Sequence, residues 1–304
     1  MSARQSDPVA QATPTGSNPP EATREPSPPA AGAAMRFILV AVLIDMMAIG
    51  IIVPVLPALV GRFTPNQGEQ AFWMGVVALV FGVANFFAGP MLGALSDRYG
   101  RRPILLLGFG GLALSFLATA ASTALWMLVA VRLIGGGLQA NAAIANAYVA
   151  DITAPEHRAR RFGLLGAMFG LGFIVGPAMG GLLGAIDLRL PFVVAGVLAL
   201  ANLAYGWRVL PESLPLDRRR SFAWRSANPF TALRRLATDR AVGVLVAVVA
   251  CTGLAQGLLY NAWVLVNTFK FGWTPQENGG SLAAVGVVSV FVQGWLLARL
   301  LKRL

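Results

Sequence analysis

Charge, lysine, histidine and cysteine are all scarce in this chain, and each scarcity closes a class of function. Charged residues make up 12% of the 304, about half the roughly 25% of an ordinary soluble domain. Lysine occurs only as Lys270 and Lys302, so there is no G-x-x-x-x-G-K-[ST] phosphate loop and ATP has no such cradle. The one histidine, His157, has no H-E-x-x-H around it and no cluster of metal ligands, and reads as solvated. The one cysteine, Cys251, excludes an intramolecular disulfide. Lying in an apolar run, it is expected as a small core residue. No enzyme, no metal and no bound cofactor is expected.

What is there is apolar. Hydrophobic residues are 56% of the chain, with 34 glycines among them or between them. The apolar runs are near 20 residues, the length that crosses a hydrocarbon core of about 30 Å. We place eight spans, at 36–60, 72–95, 104–121, 124–148, 162–184, 190–210, 241–266 and 280–298. Residues 1–35 are rich in Pro, Ala, Ser and Thr, lack apolar periodicity, and read as a disordered tail rather than a signal peptide.

The basic residues alternate from one set of connections to the other. Stretches 96–103, 156–161 and 208–240 carry three, three and eight, and the two chain ends carry three each; the opposite set holds only Arg62, Arg189 and Lys270. That is 20 against 3, with Arg132 left inside a span. The positive-inside rule puts both termini and the arginine-rich loops in the cytoplasm of a multi-pass inner-membrane protein. The net charge of +11 is then topological. The expected partners are the lipid bilayer and a small molecule, not nucleic acid.

Inside the spans, ionisable groups are few. Asp45 is the only acid, and a carboxylate at mid-membrane pairs, faces water or takes up a proton. Pro54 and Pro57 follow it and should bend the outer half of that helix. Arg132 is the only base in a span. Counted along each helix at about 1.5 Å per residue, it comes to nearly the depth of Asp45, its obvious candidate partner. The alternative is an anchor on backbone carbonyls. Asn85, Gln139, Asn146, Gln256, Tyr260 and Asn261 are further polar residues in spans, able to line a substrate cavity or to bond between helices. Gln139 and Asn146, seven apart, should share a face.

Two motifs are denser than composition requires. Gly163, Gly172, Gly176, Pro177, Gly180 and Gly181 form G-x8-G-x3-G-P-x2-G-G. The glycines repeating every four residues line one face, where another helix can approach closely. The turn from Gly93 to Arg102 reads G-x-x-x-D-R-x-G-R-R. Asp97 there can pair with Arg98, Arg101 or Arg102, Gly93 allows a close helix, and Gly100 completes the turn.

These residues resemble the major facilitator superfamily, and within it the drug/proton antiporters of the tetracycline-resistance branch. The Gly93–Arg102 turn is similar to the loop between helices 2 and 3, a charge clamp that breaks and re-forms. Arg132 with Gly135, Gly136 and Gly137 is similar to a helix-4 motif tied to proton coupling. The 163–181 arrangement is similar to the exporters' antiporter motif, which seals the pathway against ion leak. The compared tetracycline exporters carry an acid in the middle of helix 3 where Ser115 stands, which disfavours tetracycline itself.

The resemblance implies an all-α major facilitator fold. A complete N-terminal six-helix bundle would span 36–210, a central cytoplasmic loop 211–240, and the first two helices of a C-terminal bundle 241–304. The family has twelve spans, so the chain reads as truncated. A weak repeat, Gly89–Arg98 laid on Gly294–Arg303, supports the division. The implied function is antiport of amphiphilic, drug-like compounds driven by a proton gradient, with Asp45 and Arg132 in the coupling. The alternatives are a non-transporting membrane fragment or an uptake symporter.

Overall fold

The computed structural model of the chain describes residues 28–139, 141–236, 240–292 and 299. The repeat partner at 294–303, the tail before residue 28 and the last part of the eighth span lie outside the described residues, Arg299 apart. Among the described residues there is no strand, and seven helical segments are long and apolar enough to cross a membrane.

The first span is two helices, α1 (Pro28–Ile52) and α2 (Leu56–Gly61), separated by a turn at Val53–Val55. Pro54 and Pro57, expected to bend this span, break it. The Pro57 carbonyl accepts a bond from Gln70 Nε2 at 2.7 Å, which ties α2 to the start of span 2. At the other end the expected tail is shorter than drawn: residues 28–35 belong to α1, and Ala34 and Met35 are buried. Pro28 and Pro29 fill the first turn, where no N–H is needed, and the alanines that follow are the strongest helix formers.

Span 2 is α3 (Gln67–Tyr99), opened by Asn66, whose side chain accepts from Glu69 N at 2.9 Å. Span 3 is α4 (Arg101–Ala121). Span 4, expected to be continuous, is divided into α5 (Leu125–Leu138) and α6 (Asn141–Asp151). Gln139 is extended, at φ −96° and ψ 91°. Span 5 is α7 (Pro155–Ile186), long enough that Arg158, Arg160 and Arg161, placed above in a connection, are on the helix itself. Span 6 is α8 (Leu190–Val209).

The 211–240 connection is not bare loop. It carries a 3-10 turn at Leu216–Arg218 and two short helices, α9 (Trp224–Ala227) and α10 (Pro229–Leu236). Phe230 of α10 meets Phe86 and Phe87 of α3 edge to face, with centroids 5.8 and 6.0 Å apart. Span 7 is α11 (Arg240–Phe271), and α12 (Pro275–Phe291) begins the eighth, opened by a Thr274–Glu277 capping box.

Two apolar clusters fill the bundle. One, with Phe37, Ile38, Leu105, Phe109 and Tyr148, lies toward the arginine-rich end, and the other, with Ile51, Val55, Leu112, Phe116 and Phe192, toward the opposite end. On α1 the first ends at Met46 and the second begins at Met47, so Asp45 stands where they meet. Asn202 of α8 also bonds there, to the Ala41 carbonyl at 3.0 Å. Large apolar side chains such as Leu79, Leu114, Leu245 and Leu258 are exposed, as the lipid-facing side of a membrane helix should be. Cys251 is one of the exposed residues of α11, not the core residue expected, because no described helix covers that face.

Candidate functional site

At the arginine-rich end, Gly100 closes α3 and opens α4 with φ +107°, a conformation that favours glycine. An added Cβ there would also run into the Glu212 carboxylate. The next two N–H groups, of Arg101 and Arg102, donate to Glu212 at 2.8 and 3.3 Å. Glu212 also accepts from Ser213 N and Leu214 N, both at 3.0 Å. A carboxylate on a helix N-terminus satisfies orphan donors and complements the helix dipole.

The Arg101 side chain gathers three further partners. Nη1 pairs with Asp97 at 2.5 Å and donates to Ser96 Oγ at 2.7 Å, while Nε pairs with Asp151 at 3.1 Å. Arg102 donates to the Trp207 carbonyl at 2.7 Å, and Arg220 N to the Asp97 carbonyl at 3.0 Å. Spans 2, 3, 4 and 6 are thereby tied at one end. Asp97, Gly100, Arg101 and Arg102 take part as the motif suggested. Arg98 instead lies over the Tyr99 ring at 5.1 Å, and Gly93 has open space where its side chain would be. Sequence reasoning missed Asp151 and Glu212. The signal was an acid closing span 4 and another in the Pro-Glu-Ser that leaves span 6.

At mid-bundle, Asp45 is 4% exposed, and its Oδ1 accepts from Asn141 Nδ2 at 3.1 Å. Asn141 begins α6 and fits because Gly108 of α4 has no side chain; a Cβ there would coincide with its amide oxygen. Arg132 is 7% exposed, and its Nε and Nη2 are buried with no hydrogen-bond partner. The expected Asp45–Arg132 pair does not form among the described residues. Asn141 is level with Asp45, and Arg132 lies before the break in span 4, with about 9 Å of helical rise toward the opposite end between it and Leu138 alone. The two charges lie at different depths.

The break in span 4 accounts for other displaced expectations. Asn85 of α3 donates to the Gln139 carbonyl at 2.5 Å, satisfying the acceptor that the break frees. Asn85 therefore caps the break in span 4. Gln139 faces the cavity described next, whereas Asn146, beyond the break, is exposed and bonds back to the Ala142 carbonyl at 2.8 Å. The 100° per residue count that put them on one face does not hold when Gln139 itself is extended and outside both helices. Gln256 is also exposed and away from the cavity.

The cavity, of about 250 Å³, lies between α1 to α5 and α11. Its polar groups are Ser115, Arg132, Gln139, Tyr260 and Asn261, set among apolar residues such as Ile52, Met74 and Phe116. Tyr260 also stacks edge-on against Phe173 of α7, centroids 5.1 Å apart. Of the sequence candidates, Arg132, Gln139, Tyr260 and Asn261 come together here.

The glycine motif divides between two neighbours. Gly172, Gly176 and Gly180 face α1, and a Cβ on Gly176 would lie 2.7 Å from the Met47 carbonyl and 2.8 Å from Gly50 Cα. A Cβ on Gly172 would come within 2.6 Å of Met46 Cβ. The α7 backbone is thus laid directly against the residues flanking Asp45. Gly181 faces the start of α12, where its added Cβ would be 3.1 Å from Gly279 Cα, and Gly279 in turn abuts the Pro177 carbonyl. Gly163 meets nothing within 4 Å.

Residues 38–304 match the profile of the Major Facilitator Superfamily. The tetracycline resistance protein, class C, of Escherichia coli is 37% identical over 270 residues, covering 89% of this chain and 68% of that one. The class B protein of Escherichia coli is 33% identical over 269 residues, covering 87% and 66%. The chain thus spans about two thirds of the length of the curated relatives it matches. Among solved structures, the human organic anion transporter MFSD10 (TETRAN) superposes with a TM-score of 0.70 at 24% identity, covering 87% of this chain and 72% of that one. A bacterial homolog of the human lysosomal transporter Spinster, inward-facing and unoccupied, gives 0.69 at 18%, covering 92% and 65%. At these identities the structural likeness shows the fold alone.

Proposed function

We propose, because this chain belongs to the Major Facilitator Superfamily and is a multi-pass membrane protein of that all-α fold, that it works in the efflux of small amphiphilic, drug-like compounds in exchange for protons. The observation that carries the reading is Asp45. It is a buried carboxylate where the two apolar clusters meet, on a helix packed backbone to backbone against the Gly172–Gly180 face.

A charged Asp45 needs the Asn141 donor and local polarity; a protonated one tolerates an apolar surrounding. Proton uptake therefore shifts the balance between arrangements that expose this residue to one side or the other. The glycine face passes that preference to α7, and through Gly181 and Gly279 to α12. The clamp around Arg101 holds the arginine-rich end in one arrangement until the balance changes. Arg132, unpaired and nearer the opposite end, supplies the cavity's fixed positive charge.

The same reading places the termini and the clamp in the cytoplasm, on the 20-to-3 arginine and lysine asymmetry. It treats 36–210 as one bundle, 211–240 as the connecting loop and 241–304 as the start of a second. The relatives named for tetracycline resistance bring tetracycline-like compounds into the substrate class to be tried.

The test is substrate-driven proton movement in everted vesicles containing the full chain, with Asp45→Asn as the comparison. Proton movement that depends on Asp45 is expected. Movement unchanged in Asp45→Asn would overturn the assignment, and accumulation identical with and without expression would favour the non-transporting reading.

A further inference from the structure

The cavity wall has a cation without an anion. Among the described residues that line it, Arg132 is the only charged one and none is Asp or Glu. Asp45, the acid within the described spans, lies at a different depth, outside the wall, and already accepts from Asn141. An arginine keeps its charge in apolar surroundings and is costly there without a counter-ion.

The two unpartnered atoms make the shortage specific. Nε and Nη2 lie on one edge of the guanidinium, and that edge is the fork whose parallel N–H groups match the two oxygens of a carboxylate or sulfonate. Both atoms are buried in this conformation while Arg132 itself lines the cavity, so binding a ligand there requires that edge of the guanidinium to turn toward the cavity. The rest of the wall is apolar, with Tyr260, Phe81 and Phe116 as aromatic surface. Ser115, Gln139 and Asn261 supply neutral hydrogen bonding. A volume of about 250 Å³ suits a fused two-ring aromatic body.

We infer that the cavity binds amphiphiles carrying an anionic head group, with Arg132 clasping the head and the apolar wall holding an aromatic body. This rests on the transport reading for its purpose, but its chemistry can be tested by binding alone. The full chain in nanodiscs of phosphatidylcholine, which has no net charge, is titrated with four probes on one ring system. These are 2-naphthoate, 2-naphthalenesulfonate, the neutral 2-naphthamide and cationic 2-naphthylmethylammonium.

The two anions are expected to bind at least tenfold tighter than the amide, with the cation weakest. Arg132→Gln should remove the anion preference and leave amide affinity within about twofold. Arg132→Lys should keep part of it, as a point charge without the fork. Ser115→Asp gives a second route should Arg132→Gln fail to fold. Ser115 faces Gly135, one turn along from Arg132, so an acid there should cancel the preference with Arg132 still present.

Equal affinity for naphthoate and naphthamide, no binding of any probe, or a preference that survives both variants would overturn the inference. Anion preference without proton movement in vesicles would sink the exchange reading and leave this one standing. Proton movement driven by neutral compounds, without anion preference, would do the reverse.

Discussion

At the arginine-rich end, Asp97, Asp151 and Glu212 converge on Arg101, and the N–H groups opening α4 are capped by the same Glu212. At mid-bundle, Asp45 has one hydrogen bond and Arg132 leaves two nitrogens without any. Both regions gather charge from several spans. The first satisfies its groups, one Arg102 nitrogen apart, and so fixes an arrangement; the second leaves most of them short and so stays responsive to a proton or a ligand. A saturated network stabilises, whereas a buried unpaired group is kept for another use.

The largest break in this contrast comes from the seam that joins the two regions. Gly180→Val should abolish folding or cost more than about 3 kcal/mol, since its Cβ would enter the Ile51 carbonyl and a continuous α7 cannot shift to relieve it. Gly163→Ala, in the same motif but facing open space, should be neutral or gain up to about 1 kcal/mol from helix propensity. Thermal melting of the purified protein separates the two, and equal effects would deny that close packing is what the motif provides.

Next in size is Glu212→Ala, which removes a charged cap from α4 and should cost about 2 kcal/mol in the same melting measurement. Asp45→Asn should act oppositely, raising stability by about 1 kcal/mol as a buried charge is lost, while proton exchange disappears. If Asp45→Asn destabilised as much as Glu212→Ala, the mid-bundle carboxylate would be structural and the contrast would fall. Asn85→Ala sits between the regions. It leaves the Gln139 carbonyl without its donor and should cost about 1 kcal/mol, with the loss in transport exceeding the loss in folded protein.

The sequence showed the saturated region more fully than the responsive one. Span lengths, arginine asymmetry and the Asp97–Arg102 turn are local patterns, and helix length and bilayer thickness convert them directly into architecture. The partners Asp151 and Glu212 are 50 and more residues away, and only folding shows which acid reaches Arg101. The break in span 4 is half legible. Gly135, Gly136 and Gly137 weaken the helix there, but Asn85 on another span captures the freed carbonyl. The pairing of Asp45 with Asn141 rather than Arg132 follows from that break and from the room left by Gly108, so counting rise along an unbroken helix could not give it.

The smallest expected effect sharpens what saturation means, because the device used at Glu212 recurs at the opposite end of the molecule. Glu277 opens α12, accepting from the Thr274 backbone at 2.7 Å and its hydroxyl at 2.9 Å. The backbone bond and then the hydroxyl bond hold its pKa below the ordinary glutamate value. A carboxylate with a depressed folded-state pKa contributes stability that is present above the unfolded value and lost as pH falls through the folded one. The contribution is therefore complete at neutral pH and fades below about 4.5. Glu277 is exposed and binds within a single turn, whereas Glu212 joins segments far apart in the chain. Thr274→Val should therefore lower the melting temperature by only a degree or two at pH 7, and the difference from the parent should shrink at pH 3. A larger drop that persisted at pH 3 would mean that Thr274 acts through its hydroxyl's cap on the Glu277 N–H or through packing, rather than through the carboxylate.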